Sequence, residues 1–230
     1  MKELLAFIVL SSVKIFSHIF YRREFHFLTV PPEDVWNKAR IYALLNHTSL
    51  FEPLYVQGLP FRFLWKMAHH LSVPGADITL NRPLVGKFWK MMMPSISSVS
   101  RKSDNTWTKY LSSIRPDDVI FIAPEGRMKR PNGLDKFGRP MTVKPGIADV
   151  VMNVQEGGLL LCLSGGLHHI QKPGQHFPRL FKTIRMNFVY IDLAQYHQRL
   201  SGLSALEKKH EITREVQRYL DTCCPPAQIE

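Results

Sequence analysis

The sequence predicts an α/β domain on a mixed, partly parallel central sheet flanked by helices, and three observations predict it. Short apolar runs rich in β-forming residues occur at 40–45, 119–123, 159–163 and 186–193, each bounded by turn or polar residues. Helix-like segments fall between and after them, at 54–58, 106–114, 146–155 and 203–220. No internal repeat, low-complexity tract or Ser/Gly linker divides the 230 residues. Strands alternating with helices in one unit imply parallel neighbours with helices on both faces. In such sheets, chemistry collects at the carboxyl ends of the strands.

The first element, MKELLAFIVLSSVKIFSHIFYRREF, reads as an amphipathic helix lying in a membrane interface. Leu4, Leu5, Ile8, Phe16, Ile19 and Phe20 would enter the lipid, with Lys14, Arg22 and Arg23 at the headgroups. Packing of the same helix on the protein's own core is the alternative. Lys14 interrupts the run short of the roughly 18–20 apolar residues that a span needs. A signal peptide lacks its small-residue cleavage site here. The expected division is a membrane-associated helix over 1–24, a single domain over 25–222 and a tail over 223–230.

The run 40–45 leads into Asn46-His47-Thr48-Ser49-Leu50-Phe51-Glu52-Pro53, which places an imidazole at a strand end. In a continuous helix, residues five apart diverge and His47 would not meet Glu52. They meet if His47 lies in the turn and Glu52 opens the next helix, where Pro53 fits the first turn. A carboxylate that holds the imidazole fixes its tautomer and makes it a general base. Ser49-x-x-Glu52 is equally a capping box, in which Glu52 serves its own helix end. Both readings stand on spacing alone.

The run 119–123 leads into Pro124-Glu125-Gly126-Arg127 and then a basic stretch. Residues 127–146 carry six Lys and Arg against one acid, Asp135. Arg side chains beside backbone N–H groups around a Gly suit a phosphate, and long loops in compact domains are usually functional. The run 159–163 contains Cys162, a small core hydrophobe in that setting. Helix 203–220 sets Leu203, Leu206, Ile212, Val216 and Leu220 on one broad face.

Composition narrows the classes further. An apolar fraction of 45% excludes disorder, and three cysteines, two of them adjacent at Cys223 and Cys224, exclude a disulfide framework and point to a reducing compartment. Cys223 and Cys224 read as an exposed tail. A net charge of +11 proposes nucleic acid, an anionic membrane or an acidic substrate or carrier. No nucleic-acid-binding signature accompanies it. His69–His70 and His168–His169 lack metal-ligand spacing, no G-x-S-x-G surrounds Ser164, and no Walker or G-x-G-x-x-G element occurs. Neither metal nor cofactor is therefore expected.

Taken in order, these segments resemble the glycerolipid and lysophospholipid acyltransferase superfamily, the 1-acylglycerol-3-phosphate acyltransferase-like enzymes. Its first block, Asn-His-x-Ser-x-x-Asp-Pro-like, is matched by NHTSLFEP except at Glu52. Its Phe-Pro-Glu-Gly-Thr-like block is matched by Ala123-Pro124-Glu125-Gly126, with Arg127 in place of Thr. Ile96-Ser97-Ser98-Val99-Ser100-Arg101 resembles the block between them, and Val143-Lys144-Pro145-Gly146 a later one. The likeness covers about residues 40–170.

The resemblance implies an O-acyltransferase that moves a fatty acyl group onto the hydroxyl of a lysophosphatidic acid-like acceptor. The donor would be acyl-CoA or acyl carrier protein, as co-substrate. His47 would be the general base and Glu52 its orienting carboxylate. Arg101, Glu125, Gly126 and Arg127 would bind the acceptor. The Phe-, Trp- and Met-rich segment between the first two blocks would line an acyl groove, or else form ordinary core. Membrane lipids and no nucleic acid would be the partners, at the cytoplasmic face. The Glu52 and Arg127 departures suggest as alternative a weak or silent member that binds lipid.

Overall fold

The computed structural model describes residues 1–93, 95–100, 104–172, 175 and 177–226, without the side chains of 78, 79, 84 and 85. In chain order the elements begin α1 (Lys2–Phe20), β1 (Arg22–Phe27), α2 (Val35–Lys38) and β2 (Ala39–Leu45). A 3-10 helix (Glu52–Gly58), α3 (Phe61–His70), β3 (Leu71–Ala76), α4 (Asp77–Leu80), α5 (Pro83–Met92) and β4 (Ile96–Val99) follow. The chain continues with α6 (Thr106–Ser113), β5 (Val119–Ile122), α7 (Gly146–Asn153) and β6 (Gly158–Ser164). It closes with β7 (Thr183–Asp192), α8 (Leu193–Arg199) and α9 (Ala205–Cys223). The strands form one seven-stranded sheet in the order β1-β7-β6-β2-β5-β3-β4. Only the β6–β7 pair is antiparallel.

The middle strands are apolar on both faces because both faces are covered. Leu159, Leu161 and Leu163 of β6 join Ile41, Ala43 and Leu45 of β2 under α7 and α9. Leu160 and Cys162, with Tyr42, point the other way into a core with Leu10 of α1 and Phe63 and Leu64 of α3. Every residue of β6 is buried. Truncating one of its leucines to Ala would cost about 2–5 kcal/mol.

α9 starts at a capping box, in which Ser204 Oγ accepts from the Glu207 N–H and the Glu207 carboxylate accepts from the Ser204 N–H. Its buried face holds Ile212, Val216 and Leu220, whereas Leu203 precedes the helix and Leu206 is exposed. The two terminal cysteines are not an exposed tail. Both are half-buried against the core, and the Cys223 carbonyl accepts from Asn187 Nδ2 at 2.9 Å. Burial, and then the nearby Glu125 carboxylate, push the Cys224 thiol up to about 12.

α1 packs on the domain along one face and leaves apolar side chains outward on the other. Ala6, Leu10 and Ser17 are buried against the domain, and Ser17 Oγ donates to the Leu54 carbonyl at 2.8 Å. Leu4, Leu5, Ile8, Ile15, Phe16 and Ile19 face outward. The helix is long and apolar enough to cross a membrane by length and composition. Lys14 departs from its expected place. Its ammonium donates to the Gln57 and Leu59 carbonyls at 2.7 and 2.8 Å, capping the end of the 3-10 helix. Arg22, Arg23 and Glu24 do not continue the helical segment; they open edge strand β1.

At β3 the sheet forks. Leu71 and Ser72 pair with β5, but Val73 to Ala76 pair only with β4. Pro74 lies beyond the last residue paired with β5, where its missing N–H removes no bond to that strand. The wedge between β3 and the end of β5 is roofed by α4 and α5. Close packing there depends on Gly86: a Cβ on it would lie 2.1 Å from the Leu80 carbonyl oxygen. No side-chain rotation relieves a backbone clash, so Gly86→Ala is expected to destabilise by about 1–3 kcal/mol. Chemical denaturation with unchanged m-value would report it.

Candidate active site

The turn after β2 is built to hold one imidazole. Asn46 takes a left-handed conformation, φ 60°, which Asn tolerates better than most residues. Its Nδ2 donates to the Ser164 carbonyl at 2.8 Å, which ties the ends of β2 and β6 together. His47 follows, and its backbone is clamped on both sides by the segment after β5. Its N–H donates to Glu125 Oε2 at 3.0 Å, and its carbonyl accepts from the Lys129 N–H at 2.7 Å. Its Nδ1 is hydrogen-bonded to Glu52 Oε2. That leaves Nε2 as the ring nitrogen available to a neighbour.

Glu52 reaches His47 because the backbone turns between them and the 3-10 helix begins at Glu52, with Pro53 in its first turn. Both oxygens of the carboxylate are used, one by the imidazole and one by the turn that carries it. Oε2 takes the imidazole, while Oε1 accepts from the Thr48 N–H at 2.8 Å and the Ser49 N–H at 3.4 Å. The capping box itself does not form: Phe51 is the N-cap, without a side-chain cap, and Ser49 Oγ accepts from the Phe51 N–H at 3.1 Å instead.

Glu125, at the end of β5, is 2% exposed and is not among the residues lining the cavity described below. One oxygen holds the His47 backbone, and Oε1 has no hydrogen-bond partner among the described residues. Burial raises the Glu125 pKa and the Glu52 charge adds to this, against the His47 hydrogen bond and charge and Lys129. For His47, burial disfavours the imidazolium. The Glu52 charge and hydrogen bond, with the Glu125 charge, outweigh it and raise the imidazole above its ordinary value.

Gly126 has φ +67° and open space where a Cβ would stand, so a side chain there would be strained but not blocked. Arg127 is ion-paired with the buried Asp135. The 127–146 loop organises around that carboxylate, which also accepts from the Phe137 and Arg139 N–H groups at 2.7 and 3.0 Å. Burial opposes its charge, yet the hydrogen bonds from Arg139, Arg127 and Phe137 hold Asp135 at about 2. This contribution is present above pH 3.8 and is lost as pH falls through about 2. Arg127, Lys136 and Arg139 surround the Phe137 ring at 4.8, 4.8 and 5.8 Å from its centroid. Asp135→Ala is expected to loosen the loop and speed tryptic cleavage within 127–144, with unchanged circular dichroism elsewhere.

A cavity of about 680 Å³ occupies the fork between β3 and β5, with His47 on its wall. Its wall includes the apolar Val73, Leu80, Trp89, Met93 and Ile96. Five cations, Arg82, Arg127, Arg130, Lys136 and Lys144, line it against one acid, Asp149. The Phe-, Trp- and Met-rich segment is thus divided: Trp89 and Met93 line the cavity, Phe63 and Met67 are core, and Phe61 and Trp65 are exposed. The structure gathers His47, Gly126 and Arg127 on this wall, with Glu52 and Glu125 buried behind His47. Arg101 lies outside the described residues. No group of three His, Cys, Asp or Glu suited to a metal occurs among the described residues. Sequence reasoning gave no role to Asn46, Lys129 or Asp135. The signal at Asn46 was an Asn directly after a strand; the others required the tertiary structure.

No protein-family model matches the chain, and no curated protein matches it. Its fold is similar to that in the crystal structure of the 1-acyl-sn-glycerophosphate (LPA) acyltransferase PlsC from Thermotoga maritima. The two share 15% sequence identity with a TM-score of 0.51, over 93% of this chain and 81% of that one. At this identity the likeness is one of fold.

Proposed function

We propose that the chain is an O-acyltransferase that esterifies a lysophospholipid hydroxyl from a fatty acyl thioester, acyl-CoA or acyl carrier protein, with His47 as general base. One observation carries the reading: an imidazole held at Nδ1 by a carboxylate lines a cavity whose wall combines apolar and basic side chains. That combination suits an acceptor with an anionic phosphate and a donor with an alkyl chain. The acceptor oxygen attacks the thioester carbonyl carbon as its proton passes to His47 Nε2. The C–S bond then breaks, and the thiolate takes the proton back from the imidazolium to leave as the thiol. No covalent enzyme intermediate is required.

Glu52 orients His47 and stabilises its imidazolium. Glu125 acts through the His47 backbone rather than by touching the acceptor. Arg101, Gly126 and Arg127 serve the acceptor side; the outward apolar face of α1 supports attachment to a membrane, and the proposal puts the protein on its cytoplasmic face. The test is to incubate the purified protein with labelled acyl-CoA or acyl carrier protein and lysophosphatidic acid. Formation of the diacyl product is expected; none with either donor would overturn the assignment in favour of a lipid-binding protein without transfer activity.

A further inference from the structure

We infer that the connection between β6 and β7 makes a second contact with an anionic bilayer, through Phe177, Leu180 and Phe181. This rests on the membrane reading of α1 and adds a separate contact to it. Phe177 is 86% exposed and Phe181 72%, with Leu180 also outward. Isolated exposed apolar residues are ordinary, but contiguous ones mark an interaction surface. Phe181 joins this stretch to α1. The Phe181 and Phe20 rings meet edge-on at 5.8 Å, beside the outward Phe16 and Ile19.

Phe181 is also held in a costly conformation. Its φ of 58° lies in the left-handed region, which a bulky L residue seldom adopts. Flanking bonds enforce it: the Phe181 N–H donates to the Phe20 carbonyl at 2.8 Å, and the Arg22 N–H to the Lys182 carbonyl at 3.1 Å. The fold thus keeps an aromatic ring in water at the end of an apolar helix.

Charge selects the occupant. No Asp or Glu occurs between Glu156 and Asp192, a stretch that holds Lys172, Arg179, Lys182 and Arg185. Glu24 of the adjoining β1 is paired with Arg185. Aromatic residues rimmed by cations suit anionic lipid headgroups over acyl chains. A second copy of this chain would bring the same cations together and is disfavoured.

The full chain is tested by flotation with vesicles of equal parts phosphatidylcholine and phosphatidylglycerol, and with phosphatidylcholine alone. Phe177→Ser combined with Phe181→Asn, where Asn accepts the left-handed φ, is expected to weaken binding to the anionic vesicles by about tenfold to a hundredfold. Phe177→Trp should gain fluorescence that brominated phosphatidylglycerol quenches beyond the wild-type level. If the wild type itself fails to float, the membrane reading fails. If it floats and the double variant floats equally, or the new Trp is not quenched, the second contact alone is wrong. Equal binding to neutral vesicles, or loss of a dimer in the double variant without lipid, would also overturn it.

Discussion

His47→Ala is expected to lower kcat by about 10²- to 10⁴-fold, the range that a positioned general base supplies. The loss should fall on kcat rather than KM. Backbone bonds from position 47 to Glu125 and Lys129 survive the substitution, and the cavity is formed mainly by β3, α5 and the segment after β5. Glu52 keeps its bonds from Thr48 and Ser49, so its carboxylate is not stranded. Steady-state transfer of labelled acyl groups to lysophosphatidic acid measures the effect, with thermal unfolding as the control for folding. Equal product from wild type and variant would refute base catalysis by His47. The pH profile follows from the raised imidazole. Only the neutral ring accepts a proton, so kcat/KM should rise with pH through a midpoint above the ordinary 6.5.

Glu52→Gln separates the two duties of that side chain. The amide is nearly isosteric, and its oxygen can still accept from Thr48, but it carries no charge to stabilise the imidazolium. A loss of about 10³- to 10⁴-fold in kcat is expected, as where a buried carboxylate partner of a catalytic His is neutralised. The rising limb should also move to lower pH, because burial continues to disfavour the imidazolium after the main opposing charge has gone. A purely structural role would lower stability without moving that limb. Glu52→Asp is expected to lose up to about a hundredfold, since the shorter carboxylate cannot hold both His47 and Thr48 and misplacement by ~1 Å is costly. A gain in rate with Asp would identify Glu52 as an impaired substitute.

What could be read without coordinates followed burial. β2 and β6 are apolar on both faces and stand out as runs; β5 does so over four residues. β1 was illegible because RREFHF is a polar edge strand, and β3 because Pro74 and Gly75 read as a turn. α3 and α5 were hidden in a segment whose aromatic richness drew attention to lipid rather than to helical spacing. At the site, the turn geometry that Pro53 allows made a His47–Glu52 contact possible without deciding between it and a capping box. Spacing could not reveal that one carboxylate holds both the imidazole and the Thr48 N–H of the turn before it. The burial of Glu125 against the His47 backbone and the ion pair of Arg127 with Asp135 are tertiary facts with no local signature.

The forked sheet has a consequence for mechanics. β2, which leads into the turn that holds the imidazole, is zipped along both edges by β5 and β6. The β3–β4 leaf is joined to the rest of the sheet by two residue pairs, at Leu71 and Ser72. An occupant of the wedge therefore meets on one side a leaf with two pairs to the sheet, and on the other strands paired more extensively. The two walls of the cavity differ in how firmly the sheet holds them, and His47 belongs to the firmer one.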